Sequence, residues 1–273
     1  MKQKNPLKLV VLVLPGAIFF IAFFAIPLAK LFVMGGTGAL GWSAYAQVLT
    51  DSRYLKSMLA TISLSVIVTL ITLAIAGVAG VFLARQEFAG KALLTALLTL
   101  PLAFPGVVIG FMVIMLGGRQ GLVPAITQHL FEQPWVFAYS MVGLLVGYVY
   151  FSIPRTILTV MAAAEKLDPQ LVEAARSLGA GPWHLVKDVI VPALKPALLA
   201  AGAICFATSM GAFGTAFTLA TKINVVPMII YTEFTLSANI AMAAALSFVL
   251  GLITWVALAF ARNLTGSNMP AVA

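Results

Sequence analysis

The stretch LDPQLVEAARSLGAGPWHLVKDVIVPALKP, residues 167–196, decides how the rest of the chain is read. Glu165, Lys166, Asp168, Glu173, Arg176, Lys187, Asp188 and Lys195 fall in it or beside it. The chain as a whole is 62% hydrophobic and only 9% charged, where a soluble domain carries roughly 25% charged residues. The fold class expected is therefore an all-α integral membrane protein, and so charged a stretch must lie outside the lipid. Asp168 suits an N-cap, Pro169 the first helical position and Gly179 a C′ stop. Between them Leu171, Val172, Ala175 and Leu178 lie close to one helical face, with Gln170, Glu173 and Arg176 on another. A second helix starts at Gly181–Pro182, carries Trp183, Val186, Val189 and Ile190, and is expected to stop at Pro192. The reading is helix, glycine hinge, helix, proline stop: a short surface-parallel element pinned between two membrane spans.

Working outward, six spans of about 20 residues each are expected. They lie near residues 10–33, 58–84, 92–116, 135–153, 193–220 and 240–261. Pro15 and Pro27 interrupt the first span, and Pro101 and Pro105 are expected to kink the third. The fourth leads through Pro154, a candidate break, into a helical stretch up to Lys166. Residues 117–134 read as a loop carrying Arg119, His129 and Glu132, and residues 221–239 as a mixed segment with Lys222, Asn224, Pro227 and Glu233. Lys2 and Lys4 precede an apolar run longer than the roughly 7–15 residues of a signal-peptide core, so a retained span is expected there. Residues 1–273 read as one membrane domain, without an internal repeat or low-complexity tail.

Basic residues cluster at the ends of apolar runs rather than in a patch interleaved with aromatics. The net charge of +8 therefore points to the positive-inside pattern and not to nucleic acid. With the N-terminus inside, that side carries Lys2, Lys4, Lys8, Arg85, Lys91, Arg155, Lys166, Arg176, Lys187, Lys195 and Arg262. The other side keeps Lys30, Arg53, Lys56, Arg119 and Lys222. The asymmetry puts both termini, and the 167–196 stretch with them, in the cytoplasm.

No catalytic constellation stands out. His129 and His184 fall in loops on opposite faces, and the single cysteine, Cys205, sits in an apolar run as a small packing residue. Lys91 follows Gly90 but precedes Ala92, so the magnesium-binding hydroxyl of a phosphate loop is missing. The chain is expected to hold no metal or cofactor and not to hydrolyse ATP itself. No Asp or Glu falls near the middle of a predicted span, which argues against the alternative, an ion-coupled secondary transporter or channel. In the fifth span Ala203, Ala207, Gly211 and Thr215 recur every four residues. Such a ridge lets membrane helices pack closely, and with Thr208 and Ser209 it is also a candidate translocation path. Glu233 reads either as a carboxylate at the outer mouth of that path or as a solvated loop residue. Tyr148, Tyr150 and Tyr231 read as interface or packing aromatics.

Glu173-Ala174-Ala175, then three residues, Gly179, nine residues, and Val189-Ile190-Val191-Pro192 resemble the EAA loop of membrane subunits of binding-protein-dependent ABC importers. Val189 and Val191 stand where the family usually has Ile and Leu. The helix pattern and the run of residues 84–90 are also similar to permeases for polyamines, phosphonates, sulfate, molybdate and iron. The resemblance implies a type I-like permease bundle of six helices in a bacterial cytoplasmic membrane, importing a small charged or polar solute such as a polyamine or aminophosphonate. It implies that the 167–192 loop is a coupling helix, with Glu173, Ala174, Ala175, Arg176 and Gly179 meeting an ATPase. The implied partners are two cytoplasmic ATPase subunits carrying ATP and magnesium, a second permease or copy of this chain, an extracytoplasmic solute-binding protein and membrane lipid.

Overall fold

The computed structural model describes residues 6–219 and 223–265. Lys2, Lys4, Lys222, the expected end of the fifth span at Ala220 and the polar tail lie outside the described residues. The helices in chain order are α1 (Pro6–Phe20), α2 (Ile26–Gly35), α3 (Ser43–Thr50), α4 (Ser52–Arg85), α5 (Lys91–Thr99), α6 (Gly106–Gly117), α7 (Leu122–Phe131), α8 (Met141–Glu165), α9 (Pro169–Ser177), α10 (Pro182–His184), α11 (Val191–Met210), α12 (Gly214–Leu219), α13 (Val226–Tyr231) and α14 (Ile240–Thr265). Among the described residues six helical segments are long and apolar enough to cross a membrane: Val11–Gly35, Ser52–Arg85, Gly106–Phe131, Met141–Glu165, Pro182–Met210 and Ile240–Asn263.

The third span departs from expectation. Pro101 and Pro105 do more than kink it: a 3₁₀ turn, Leu100–Ala103, ends α5, and Phe104 turns extended before α6 begins. Proline lacks the N–H that would continue the ladder and pushes its predecessor out of the helical region. The segment long and apolar enough to cross is Gly106–Phe131, and the expected loop of residues 117–134 is mostly helix α7. Pro154, by contrast, does not break α8, which runs its 25 residues without interruption.

The proline stop at Pro192 is not there. A π-helical turn, Leu185–Ile190, joins α10 to α11, and Pro182–Met210 is one continuous helical segment of 29 residues, long and apolar enough to cross a membrane. The wider π turn shifts the hydrogen-bond register just before Pro192, which then sits at the start of an α-helical segment, where its missing N–H is least costly. The expected fifth span of residues 193–220 thus starts earlier and ends at Gly211, where the chain unwinds before α12.

Two compact units divide the chain. One comprises Met1–Lys56 and Ile229–Leu252. In it Gly35 lies under the Tyr45 ring, where a Cβ would stand 2.3 Å from the hydroxyl, and Phe32, Tyr45 and Phe248 pack together. The other comprises Ser57–Met228 and Ile253–Ala273. Its core gathers Leu64 and Val68 of α4, Val113 of α6, Leu144 and Tyr148 of α8, Cys205 of α11 and Ala216 of α12. A second cluster in this unit packs Val160 and Ala164 of α8 against Val172 of α9 and against Leu185, Ile190 and Leu194.

Candidate coupling hairpin and translocation cleft

The hairpin begins as its residues dictate. Asp168 Oδ1 accepts the Gln170 amide at 2.9 Å, and α9 starts at Pro169. At the other end Gly179 holds φ +84°. The Ala180 amide donates to the Ala175 carbonyl at 3.0 Å and the Gly179 amide to the Arg176 carbonyl at 2.9 Å. This pair of bonds is a Schellman closure, which places the C′ residue in the left-handed region. There an L side chain costs about 1–2 kcal/mol.

Only half of the expected apolar face of α9 points inward. Val172 is buried among Val160, Ala164 and Leu185, and Ala175 packs against the same cluster. Burying one valine contributes about 1.5 kcal/mol or more, so Val172 anchors the hairpin. Leu171 and Leu178 point outward instead, Leu178 with 89% exposure. Glu173, Ala174 and Arg176 are exposed beside them. The alanines therefore divide: Ala175 closes the hairpin onto its own bundle, and Ala174 alone of the two is open to another surface. Glu173 and Arg176 do not pair; the ion pairs among the described residues are Arg53–Glu233 and Lys91–Glu87. Trp183 extends the exposed apolar surface at the start of α10.

A cleft of about 460 Å³ gathers Thr208, Ser209, Gly211 and Thr215. From α8 it is lined by Tyr148, Ser152 and Arg155. The expected small-residue ridge is not one continuous helix, because α11 ends at Met210 and α12 begins at Gly214. Irregular backbone at membrane depth must find other partners, and the Tyr148 hydroxyl donates to the Ala212 carbonyl in the gap. Tyr148 is thus a backbone cap and not only a packing ring. Thr215 Oγ1 donates to the Gly106 carbonyl at 2.9 Å, and a Cβ on Gly147 would stand 2.8 Å from Thr215 Cγ2. Thr215 therefore knits α12 to α6 and α8. Thr208 Oγ1 bonds back to the Ile204 carbonyl at 2.9 Å. The Ser209 hydroxyl, in a residue 3% exposed, has no hydrogen-bond partner.

Glu233 does not join this cleft. It is buried in the other unit, where its Oε1 accepts from Arg53 Nη1 and from the Tyr54 hydroxyl, both at 3.2 Å. The solvated-loop reading does not fit a residue this buried; in this structure the group is an internal ion-pair partner.

Arg155, grouped from the sequence with the charges of the inner side, is not among the expected path residues, yet it sits within α8 and lines this cleft. The side chain is exposed on the cleft side and makes no ion pair. The signal was present in the sequence: an arginine flanked by Ser152, Thr156 and Thr159 inside an apolar run.

The family described as a binding-protein-dependent transport system inner membrane component matches residues 76–267. The chain is 29% identical over 238 residues to a putative 2-aminoethylphosphonate transport system permease protein, PhnU, of Salmonella typhi, covering 84% of this chain and 82% of that one. It is 31% identical over 192 residues to the molybdenum transport system permease protein ModB of Escherichia coli strain K12, covering 68% of this chain and 81% of that one. Its fold is similar, with a TM-score of 0.82 and 17% identity, to a chain in the crystal structure of a bacterial alginate ABC transporter in complex with alginate pentasaccharide-bound periplasmic protein. That alignment covers 97% of this chain and 98% of the other.

Proposed function

The chain belongs to the family of binding-protein-dependent transport system inner membrane components, and from that premise we propose how this permease subunit of an ABC importer is driven and what it carries. Residues 1–273 act as one permease domain, paired with a second permease or a copy of itself. Cytoplasmic ATPase subunits dock on the hairpin of residues 167–192, with both termini on the same side. A solute-binding protein delivers cargo to the outer face. The cargo is a small charged or polar solute, a polyamine or an aminophosphonate, and it passes Thr208, Ser209, Gly211 and Thr215.

The observation that carries the docking is the outward face of α9. A helix of 9 residues held from behind by Val172 and Ala175 presents Glu173, Ala174, Arg176 and Leu178 to solvent. Apolar surface this exposed on a charged, water-side element is characteristic of a binding site. Gly179 lets the chain leave that face without a bulky side chain. The Arg176 and Glu173 charges, unpaired with each other, are available to a partner's groove.

The test is affinity purification of the ATPase through a tagged permease. Glu173→Lys and Gly179→Pro are expected to lose the ATPase while leaving the permease folded in detergent. Solute flux through this chain alone in liposomes, without any ATPase, would refute the reading.

A further inference from the structure

We propose that Arg155 and the Ser209 hydroxyl form a selective station on the translocation path for a solute carrying an oxygen-rich anionic group, a phosphonate or an oxyanion, and that they disfavour a polyamine. The proposal rests on the importer reading above, and it narrows the solute.

Four observations converge on one place. The Arg155 guanidinium carries five N–H donors and a permanent charge, and it lines the cleft unpaired from the exposed face of α8. No Asp or Glu lines the cleft, so the local field is positive. Ser209 belongs to the same lining, and its hydroxyl is buried and without a partner. Beside it α11 is interrupted between Met210 and Gly214, and discontinuous helices mark binding sites in other membrane transporters. A planar guanidinium matches phosphonate and oxyanion oxygens with paired hydrogen bonds. The same charge repels a polyammonium chain.

The experiment uses the permease assembled with its ATPase and binding protein in proteoliposomes. The probes are 2-aminoethylphosphonate, molybdate and spermidine. ATP-dependent uptake of an anionic probe, lost in Arg155→Gln and partly retained in Arg155→Lys, is the expected result. Uptake of spermidine, or anion uptake indifferent to Arg155→Gln, would overturn the proposal while leaving the importer reading intact; ATP-independent uptake would overturn that reading instead. A second measurement does not depend on the natural solute. In a Cys205→Ser background, Thr208→Cys is treated with anionic sulfonatoethyl and cationic trimethylammonioethyl methanethiosulfonate. The anionic-to-cationic rate ratio is expected to fall about tenfold when Arg155→Gln is added, as expected for one unit charge at close range. A ratio unmoved by Arg155→Gln, or a thiol unreactive to both reagents, would mean that the guanidinium does not face an aqueous path.

Discussion

Glu233 and Arg53 make an unequal pair. The side chain of Glu233 is 6% exposed and that of Arg53 57%. Removing the arginine strands a carboxylate in a buried place with the Tyr54 hydroxyl beside it, whereas removing the carboxylate leaves a guanidinium that water reaches. Breaking a fully buried pair costs about 3–5 kcal/mol, and the exposure of Arg53 places its loss near the lower end. Arg53→Ala is therefore expected to destabilise the chain by about 3 kcal/mol, and Glu233→Gln, which keeps an acceptor oxygen, by about 1 kcal/mol. Thermal unfolding of the detergent-purified protein ranks the two, and the opposite order would contradict the burial argument. This pairing was not legible from sequence. The partners are 180 residues apart, and no local pattern announces a contact of that separation. Asp168 and Gly179 were legible, because caps and stops depend on neighbours within a few residues.

At the scale of the element the same division holds. The start of α9 and its closure follow from local chemistry, and both sit where the residues predict. Pro192 and Gly211 do not behave as local rules suggest. The first is tolerated because a π turn precedes it, and the second marks a true break because a distant side chain repairs the exposed backbone. That side chain is Tyr148, 64 residues before Ala212. Tyr148→Phe keeps the ring and removes the donor, leaving the Ala212 carbonyl with one partner fewer. An unsatisfied buried carbonyl costs about 1–3 kcal/mol. The expected outcome is a lower melting temperature together with faster amide exchange at residues 211–214, measured by mass spectrometry. Unchanged exchange there would mean that the hydroxyl does not hold the break.

For the whole molecule, the number of spans was legible because length and apolar composition are properties of the chain alone. Their ends were less so, above all in the third, where α5 and α6 separate at Pro105. Both candidate sites, hairpin and cleft, lie in the same one of the two compact units, within residues 57–228. The charge asymmetry of the sequence predicts a cytoplasmic hairpin, and its most exposed leucine offers a direct check. Leu178→Cys in a Cys205→Ser background is expected to react with an impermeant maleimide in inverted membrane vesicles and not in intact cells. Labelling from outside intact cells would reverse the orientation and exclude any cytoplasmic partner at that surface.

The fusion of α10 to α11 through a single π turn carries a mechanical consequence. Between Pro182 and Met210 no flexible joint intervenes, and 29 residues at 1.5 Å each make an arm of about 43 Å. Tilting such an arm by about five degrees at the hairpin end sweeps its far tip by roughly 4 Å, by simple trigonometry on that length. A swing of that size at Ser209 and Gly211 exceeds the width of a water molecule, so a small stroke delivered at the hairpin can open or shut the cleft without any residue between them unfolding.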